Sequence, residues 1–318
     1  MIKKLFVTIG CDTDPLIEVN QRAIFNKESA WDDVIQSVIR LKEEIKTFED
    51  EQKKPPKIIW YLRSDHQINI IWGDWCYPVR EYVSLWNEFE KSGDEIGWHP
   101  HLWKLNEIKN IWYQEIKDKN WISHCLEKGY KEISKIFRVK STRMGWDFHN
   151  NYTMNILNSL GILNDLSAIP GIKNNGTIDN IYDWKNTSRY PYFPSKHDYK
   201  IEDSDPSNNH KIVEIPITTY PIPFYLRVLT RKGIIAANIA KHPLFFKNAI
   251  KIVVNRNEEE AFLSTYFHPS DIKDEKGLFS LNNFKRNLNN IVEIARKKKL
   301  EVLFITPQEL GERYDTVA

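Results

Sequence analysis

Residues 4–15 read KLFVTIGCDTDP. Leu5, Phe6, Val7 and Ile9 leave no polar face along the first half of this stretch. A continuously apolar run predicts a strand covered on both sides, as in a parallel sheet flanked by helices. The second half is of the opposite character: Gly10-Cys11-Asp12-Thr13-Asp14-Pro15 sets two carboxylates two residues apart where the strand ends. Acids at such a place serve either as turn and cap groups or as reactive groups, and the local sequence leaves both open.

Outward from this stretch the same rhythm recurs. Strands are predicted over 57–62 (KIIWYL), 95–98 (EIGW), 141–144 (STRM), 212–217 (IVEIPI), 263–267 (LSTYF) and 301–306 (EVLFIT). Helical periodicity fills the spaces over 31–48, 79–92, 121–137, 151–160 and 281–299. In the last of these Phe284, Leu288, Ile291, Val292 and Ala295 form one apolar stripe. Strand and helix alternating along one chain predict parallel βαβ units, an α/β fold of about seven strands in a single domain. Two stretches break the rhythm. Residues 170–209 are long and polar, and 221–243 (PIPFYLRVLTRKGIIAANIAKHP) are apolar and basic; both are expected to be insertions, the second a lid or a helix packed on the barrel.

The unusual polar residues fall at the predicted strand ends. After the first come Asp12 and Asp14; after the second, Arg63-Ser64-Asp65; after the third, His99-Pro100-His101; after the fourth, Arg143-Met144-Gly145-Trp146-Asp147; after 263–267, His268-Pro269-Ser270-Asp271. In a parallel barrel these ends share one rim, where catalytic groups gather. A carboxylate and two imidazoles suit a catalytic divalent metal. A second carboxylate can take a proton from water, and a separate histidine can protonate a leaving group. Each motif alone also has a structural explanation, as a strand cap or a surface cation–π pair; all of them together at strand ends do not.

Composition narrows the class. The 318 residues hold 45 basic and 43 acidic side chains, a net charge of +2, which gives no electrostatic case for nucleic acid or an anionic membrane as partner. Cys11, Cys76 and Cys125 form no CxxC pair, so a disulfide framework is not expected. No apolar run approaches the roughly 18 residues of a spanning helix, and the N-terminus lacks the pattern of a secretory signal, so a cytoplasmic protein is expected. Aromatics are 13% with 11 Trp, a content that permits stacking on sugar rings.

With these motifs in chain order, the sequence resembles the polysaccharide deacetylase family, the NodB-like catalytic domain of carbohydrate esterase family four. GCDTDP resembles its first motif, EIGWHPH its second, STRMGW its third and YFHP its last; WYLRSD, DLSAIPG, RYPYFPS and VEIPIT resemble a subgroup associated with surface-polysaccharide biosynthesis. The resemblance covers residues 12 to about 309. It implies a distorted (β/α)7 barrel. It also implies Asp12 as catalytic base, Arg143 as its orienting partner, His268 as general acid, and Asp14, His99 and His101 as ligands of a divalent metal, zinc foremost, with cobalt, nickel or magnesium as alternatives. The family's two ligand histidines stand four apart; here that place is Trp103, which makes His101 the second ligand, and Thr13 separates the two acids. Arg63, Asp65, Trp146, Arg189 and Tyr192 are the residues expected to hold the substrate. The implied reaction removes an acyl group from an amino sugar in a glycan, a lipid-linked or a nucleotide-linked substrate. Three rivals are a NodB-like hydrolase of cyclic amides or ureides, a catalytically inactive glycan-binding homologue, and an amidohydrolase barrel. The last places its HxH on the first strand, whereas here DxD comes first.

Overall fold

The computed structural model describes residues 3–15, 31–50, 53–176, 181–222, 233–256 and 258–315. One sheet holds β1 (Lys3–Thr13), β2 (Ile59–Leu62), β3 (Glu95–Trp98), β4 (Ser141–Thr142), β5 (Asn164–Asp165), β6 (Val213–Glu214), β7 (Glu260–Phe267) and β8 (Leu300–Phe304). Every pairing in it is parallel, in the order β6-β5-β4-β3-β2-β1-β7, with β8 also on β1. The seven-strand path makes a curled half-barrel. Between β6 and β7 the described residues show no ladder. Instead the Thr218 N–H donates to Ser264 O at 2.9 Å, and Asn238 bridges to Tyr266.

β1 is the strand around which the others gather. Residues 4–11 pair with 260–267 on one flank; on the other, residues 3–7 pair with β8 and 10–13 with β2. Its odd residues Leu5, Val7, Ile9 and Cys11 are all buried and join a cluster with Val38, Leu41, Trp60, Trp98, Phe267, Phe284 and Ile291. Those partners come from the neighbouring strands and from helices Asp32–Ile45 and Leu281–Lys297, whose apolar stripes the sequence displays. The even residues of β1 share their face with Tyr61 and Gly97 through the register. A Cβ at Gly97 would sit 2.7 Å from the Tyr61 ring, so glycine there makes room for the aromatic inside the curl.

Differences from the predicted elements have local causes. The helix expected over 79–92 is two, Tyr77–Glu81 and Val83–Lys91, because Tyr82 (φ −110°, ψ 27°) leaves the helical region between them. β5 and helix Pro243–Val254 were not anticipated. Within the 170–209 stretch lies an antiparallel hairpin, Lys173–Asn175 with Ile181–Asp183. Of the 221–243 stretch, Ile234–Ala236 pairs with Thr219–Pro221, and residues 223–232, where a lid or helix was expected, lie outside the described residues. The three cysteines are free and buried. Among the described residues no helix is long and apolar enough to cross a membrane.

Candidate metal and catalytic site

Parallel pairing brings the C-terminal ends of β1, β2, β3, β4 and β7 to one rim. Asp12 is the last inward-facing residue of β1, and the chain turns at once, with the Asp14 N–H donating to Asp12 O at 2.8 Å. That tight turn keeps both carboxylates at the rim. Arg63, one residue past β2, is 1% exposed; its Nη1 donates to Asp14 Oδ1 at 2.7 Å, its Nε to Asp65 Oδ2 at 2.5 Å and its Nη2 to Gln67 Oε1 at 3.0 Å. Asp65 in turn caps helix His66–Trp72, accepting from Ile68 N at 3.1 Å. A helix cap thus fixes an arginine that fixes Asp14.

His99 follows β3 and extends its ladder, donating N–H to Leu62 O at 2.9 Å. Its Nδ1 lies 2.6 Å from Arg143 O, so Nδ1 carries the proton and Nε2 presents a lone pair. His101 Nε2 lies 3.1 Å from that atom and 3.4 Å from Asp14 Oδ1, while His99 Nε2 lies 3.5 Å from Asp14 Oδ2. Ligands about 2.0 Å from a tetrahedral zinc stand roughly 3.3 Å apart, so these spacings and this nitrogen–oxygen donor set fit a divalent cation. Among the described residues this is the one group of three or more such side chains that converges in this way. Burial, reinforced by the nearby Arg63 charge, pushes the His101 imidazole down to about 4 against the pull of Asp14, which keeps it neutral and able to ligate. Burial alone would raise the Asp14 carboxyl, but the two imidazoles hold it well below the usual carboxylate range.

Asp12 stands beside this triad. Arg143 Nε donates to Asp12 Oδ2 at 2.8 Å, and His268 Nε2 lies 3.7 Å from the same oxygen; Oδ1 is buried with no partner. Burial works against ionisation of Asp12, but Arg143, then His99 and His268, prevail and its pKa is lowered. Arg143 is itself pinned by Leu166 O, by Asp147 Oδ1 at 2.6 Å, and by the Tyr266 ring, whose centroid is 4.8 Å from the guanidinium carbon. His268 is backed by Asp271, whose Oδ2 accepts from the His268 backbone N–H at 2.8 Å, lies 3.4 Å from Nδ1 and accepts from Asn238 Nδ2 at 2.7 Å. Burial would lower the His268 imidazole, yet Asp271 first, then Asp12 and Asp14, raise it to about 9. The rim therefore pairs a depressed carboxylate with an imidazole that stays cationic at neutral pH, the split needed between a base and an acid.

The structure brings Asp12, Asp14, His99, His101, Arg143, His268 and Trp146 together. Trp146 stands 38% exposed beside the His101 and Trp103 rings, at centroid distances of 6.4 and 5.9 Å. Trp146 and Asp147 both have left-handed backbone (φ 58° and 52°), a strain of about 1–3 kcal/mol each. The Arg143–Asp147 pair and the Trp184 Nε1 bond to Asp147 O at 2.7 Å hold it in place. Arg63 and Asp65 lie behind Asp14, buried. Tyr192 is buried in the wall, donating its hydroxyl to Tyr199 O at 2.9 Å. Arg189 lies apart: it is exposed beside a small crevice with Phe6, Thr8 and Phe262, below the level of Asp12 on β1. Asp147, Tyr266 and Asp271 were given no role from sequence, although Asp147 stands four residues after Arg143 and Asp271 three after His268. A cavity of about 770 Å³ opens beside the centre, with Asp147, Tyr266, His268 and Asp271 on its inner side.

No family model matches the chain, and no curated protein does. Solved structures do. A candidate glycoside hydrolase/deacetylase of Parabacteroides distasonis superposes with a TM-score of 0.63 at 15% identity, over 99% of this chain and 72% of that one. A candidate polysaccharide deacetylase of Mycobacterium smegmatis gives 0.54 at 11% identity, over 100% and 92%. A Puue allantoinase gives 0.53 at 10% identity, over 99% and 91%. These likenesses establish the fold: a curled parallel α/β half-barrel of the kind found in polysaccharide deacetylases.

Proposed function

We propose that the chain is a metal-dependent carbohydrate deacetylase that removes an N-acyl group from an amino sugar. The observation that carries this reading is the placement of Asp12 and His268 beside the Asp14–His99–His101 group, with opposite protonation states at neutral pH. A divalent cation held by Asp14, His99 and His101 would supply Lewis acidity and lower the pKa of water there. Asp12, ionised by Arg143, accepts the proton of the attacking water through its partnerless Oδ1. His268 delivers its proton to the departing amine, and Asp271 holds the ring in position for that transfer. Trp146, beside the triad and part-exposed, offers a face for a sugar ring. Two of the fold neighbours bear deacetylase names, which supports this choice of reaction. The allantoinase neighbour makes a cyclic ureide the substrate to test against it.

The test is amine and acetate release from N-acetylated amino sugars, free, phosphorylated, nucleotide-linked and oligomeric, beside allantoin and related cyclic amides. Asp12→Asn and His268→Asn are each expected to lower turnover on the sugars by about 10²–10⁴-fold while elemental analysis finds metal unchanged. Hydrolysis of ureides with none of sugars would transfer the chain to the other reaction, and metal lost in Asp12→Asn would mean the two aspartates have exchanged roles.

A further inference from the structure

Trp146 and Asp147 are two successive residues in left-handed backbone, a conformation that non-glycine residues adopt only under constraint and most often at functional sites. It sets Trp146 beside the His101 ring and the Asp147 carboxylate in the wall of the neighbouring cavity. Asp147 is fastened twice. Arg143 Nη2 donates to its Oδ1 at 2.6 Å, and the indole N–H of the fully buried Trp184 donates to its carbonyl oxygen at 2.7 Å. With the side chain 20% exposed, the second carboxylate oxygen is left to the cavity. An ionised carboxyl accepts hydrogen bonds and donates none, so it draws hydroxyl or N–H donors. Burial raises the Asp147 pKa despite the nearby Arg143 charge, as expected of a carboxylate short of donors. The guanidinium that holds Asp147 by Nη2 holds Asp12 by Nε, at 2.8 Å. The two carboxylates are therefore one guanidinium's breadth apart. Ile169, Ile172 and Ile234 give the same cavity an apolar wall, and Tyr266 and His268 a polar one. A sugar ring has that mixed character, with hydroxyls around its edge and C–H groups on its faces.

We propose that Asp147 is a specificity-determining residue whose cavity-side oxygen accepts a hydrogen bond from a hydroxyl of the same sugar ring that bears the amide. The proposal rests on the deacetylase reading for the amide, whereas the hydroxyl contact can be read by binding alone. Because Asp12 is only one guanidinium away, the hydroxyl belongs to a carbon close to the one that carries the nitrogen. Bracing Arg143 is a lesser role for Asp147, since that guanidinium already has Asp12, Leu166 O and the Tyr266 ring around it.

Calorimetric titration of the full chain, with a chelator present so that no sugar is consumed, tests this. The probes are N-acetylglucosamine, N-acetylgalactosamine and N-acetylmannosamine, then the monodeoxy analogues of whichever binds tightest. One analogue is expected to bind about tenfold more weakly than its parent, and Asp147→Asn to weaken the parent by a similar factor while leaving that analogue's affinity unchanged. Asparagine keeps an amide oxygen for Arg143 Nη2 and tolerates left-handed backbone, so a role confined to bracing Arg143 predicts wild-type affinity for every sugar. Asp147→Gly, at ease with the same φ, is expected to show the same loss on the parent sugar with the side chain gone. Wild-type affinity for the parent in Asp147→Asn, or losses from substitution and deoxygenation that simply add, overturn the proposal. Amine release from the metal-loaded chain is measured separately. Release that persists when the proposal is overturned leaves the deacetylase reading standing, whereas neither binding nor release with any of these sugars sinks both.

Discussion

The proton on His268 is the most sensitive feature of the site. Asp271 and Asp12 raise its imidazole to about 9, while Arg143 keeps Asp12 below the ordinary carboxylate range. The form with Asp12 bare and His268 charged therefore persists across the neutral range. Turnover is expected to fall as pH climbs through about 9, and on the acid side to hold until His101, at about 4, takes up a proton and releases its lone pair. A pH–rate profile that instead broke near 6.5 on the alkaline side would show an imidazole uninfluenced by Asp271. The sign for stability agrees: a histidine raised in the folded state contributes fully below its unfolded pKa, and that contribution is lost as pH rises through about 9. At this level the sequence discloses the kinds of residue and not their directions. Arg63 and Asp65 stand at a strand end like the others, and only the cap on helix His66–Trp72 turns them to the back of Asp14. Tyr192 and Arg189 carry the same sugar-binding chemistry on paper, yet one is sealed in the wall and the other lies away from the rim.

Among elements, the short turn Gly145–Asp147 carries the most consequence for its length. A Cβ at Gly145 would stand 2.3 Å from His101 Cγ, so the bare backbone is the surface on which that imidazole lies. Gly145→Ala is expected to push the ring off its line to Asp14 and weaken metal retention by about 10–100-fold, measured by chelator competition. Undiminished retention would mean that His101 is not a ligand. Long elements were readable because periodicity accumulates: β1, β7 and helix Leu281–Lys297 each repeat their pattern several times. β5 has two residues, and a two-residue strand has no period to detect. β5 is also Asn-Asp, residues that suggest a turn until burial and pairing override them.

For the molecule as a whole, the inside of the curl is more polar than the strands' apolar outer faces suggest. Glu95 lies near the end of the curl opposite the rim, its carboxylate taking Gln308 N–H at 3.0 Å and the Ser141 hydroxyl. Burial outweighs these bonds and pushes its pKa up to about 7. The folded chain then keeps a proton that the unfolded chain sheds near the ordinary glutamate value, so stability declines as pH rises between the two. Glu95→Gln should remove that decline, with a gain on the order of 2–3 kcal/mol near pH 8 and little near pH 5 in denaturant unfolding. An equal change at both would rule the titration out. The parallel α/β plan and the gathering of chemistry at strand ends were legible in the sequence, since both follow from hydrophobic pattern and chain direction. The incomplete closure between β6 and β7 was not, because it rests on single bonds such as Thr218 to Ser264.

β1 shares hydrogen bonds with β7 and β8, segments that lie some 250 and 300 residues further along the chain. The strand that ends in Asp12 and Asp14 therefore completes its pairing only with segments that are synthesised long after it. Through synthesis the two acids wait at the end of a strand with one flank bare and the other half-filled. Reactivity in this chain arrives only when β7 and β8 fold back onto β1, a topology of distant contacts that favours slow, all-or-none maturation.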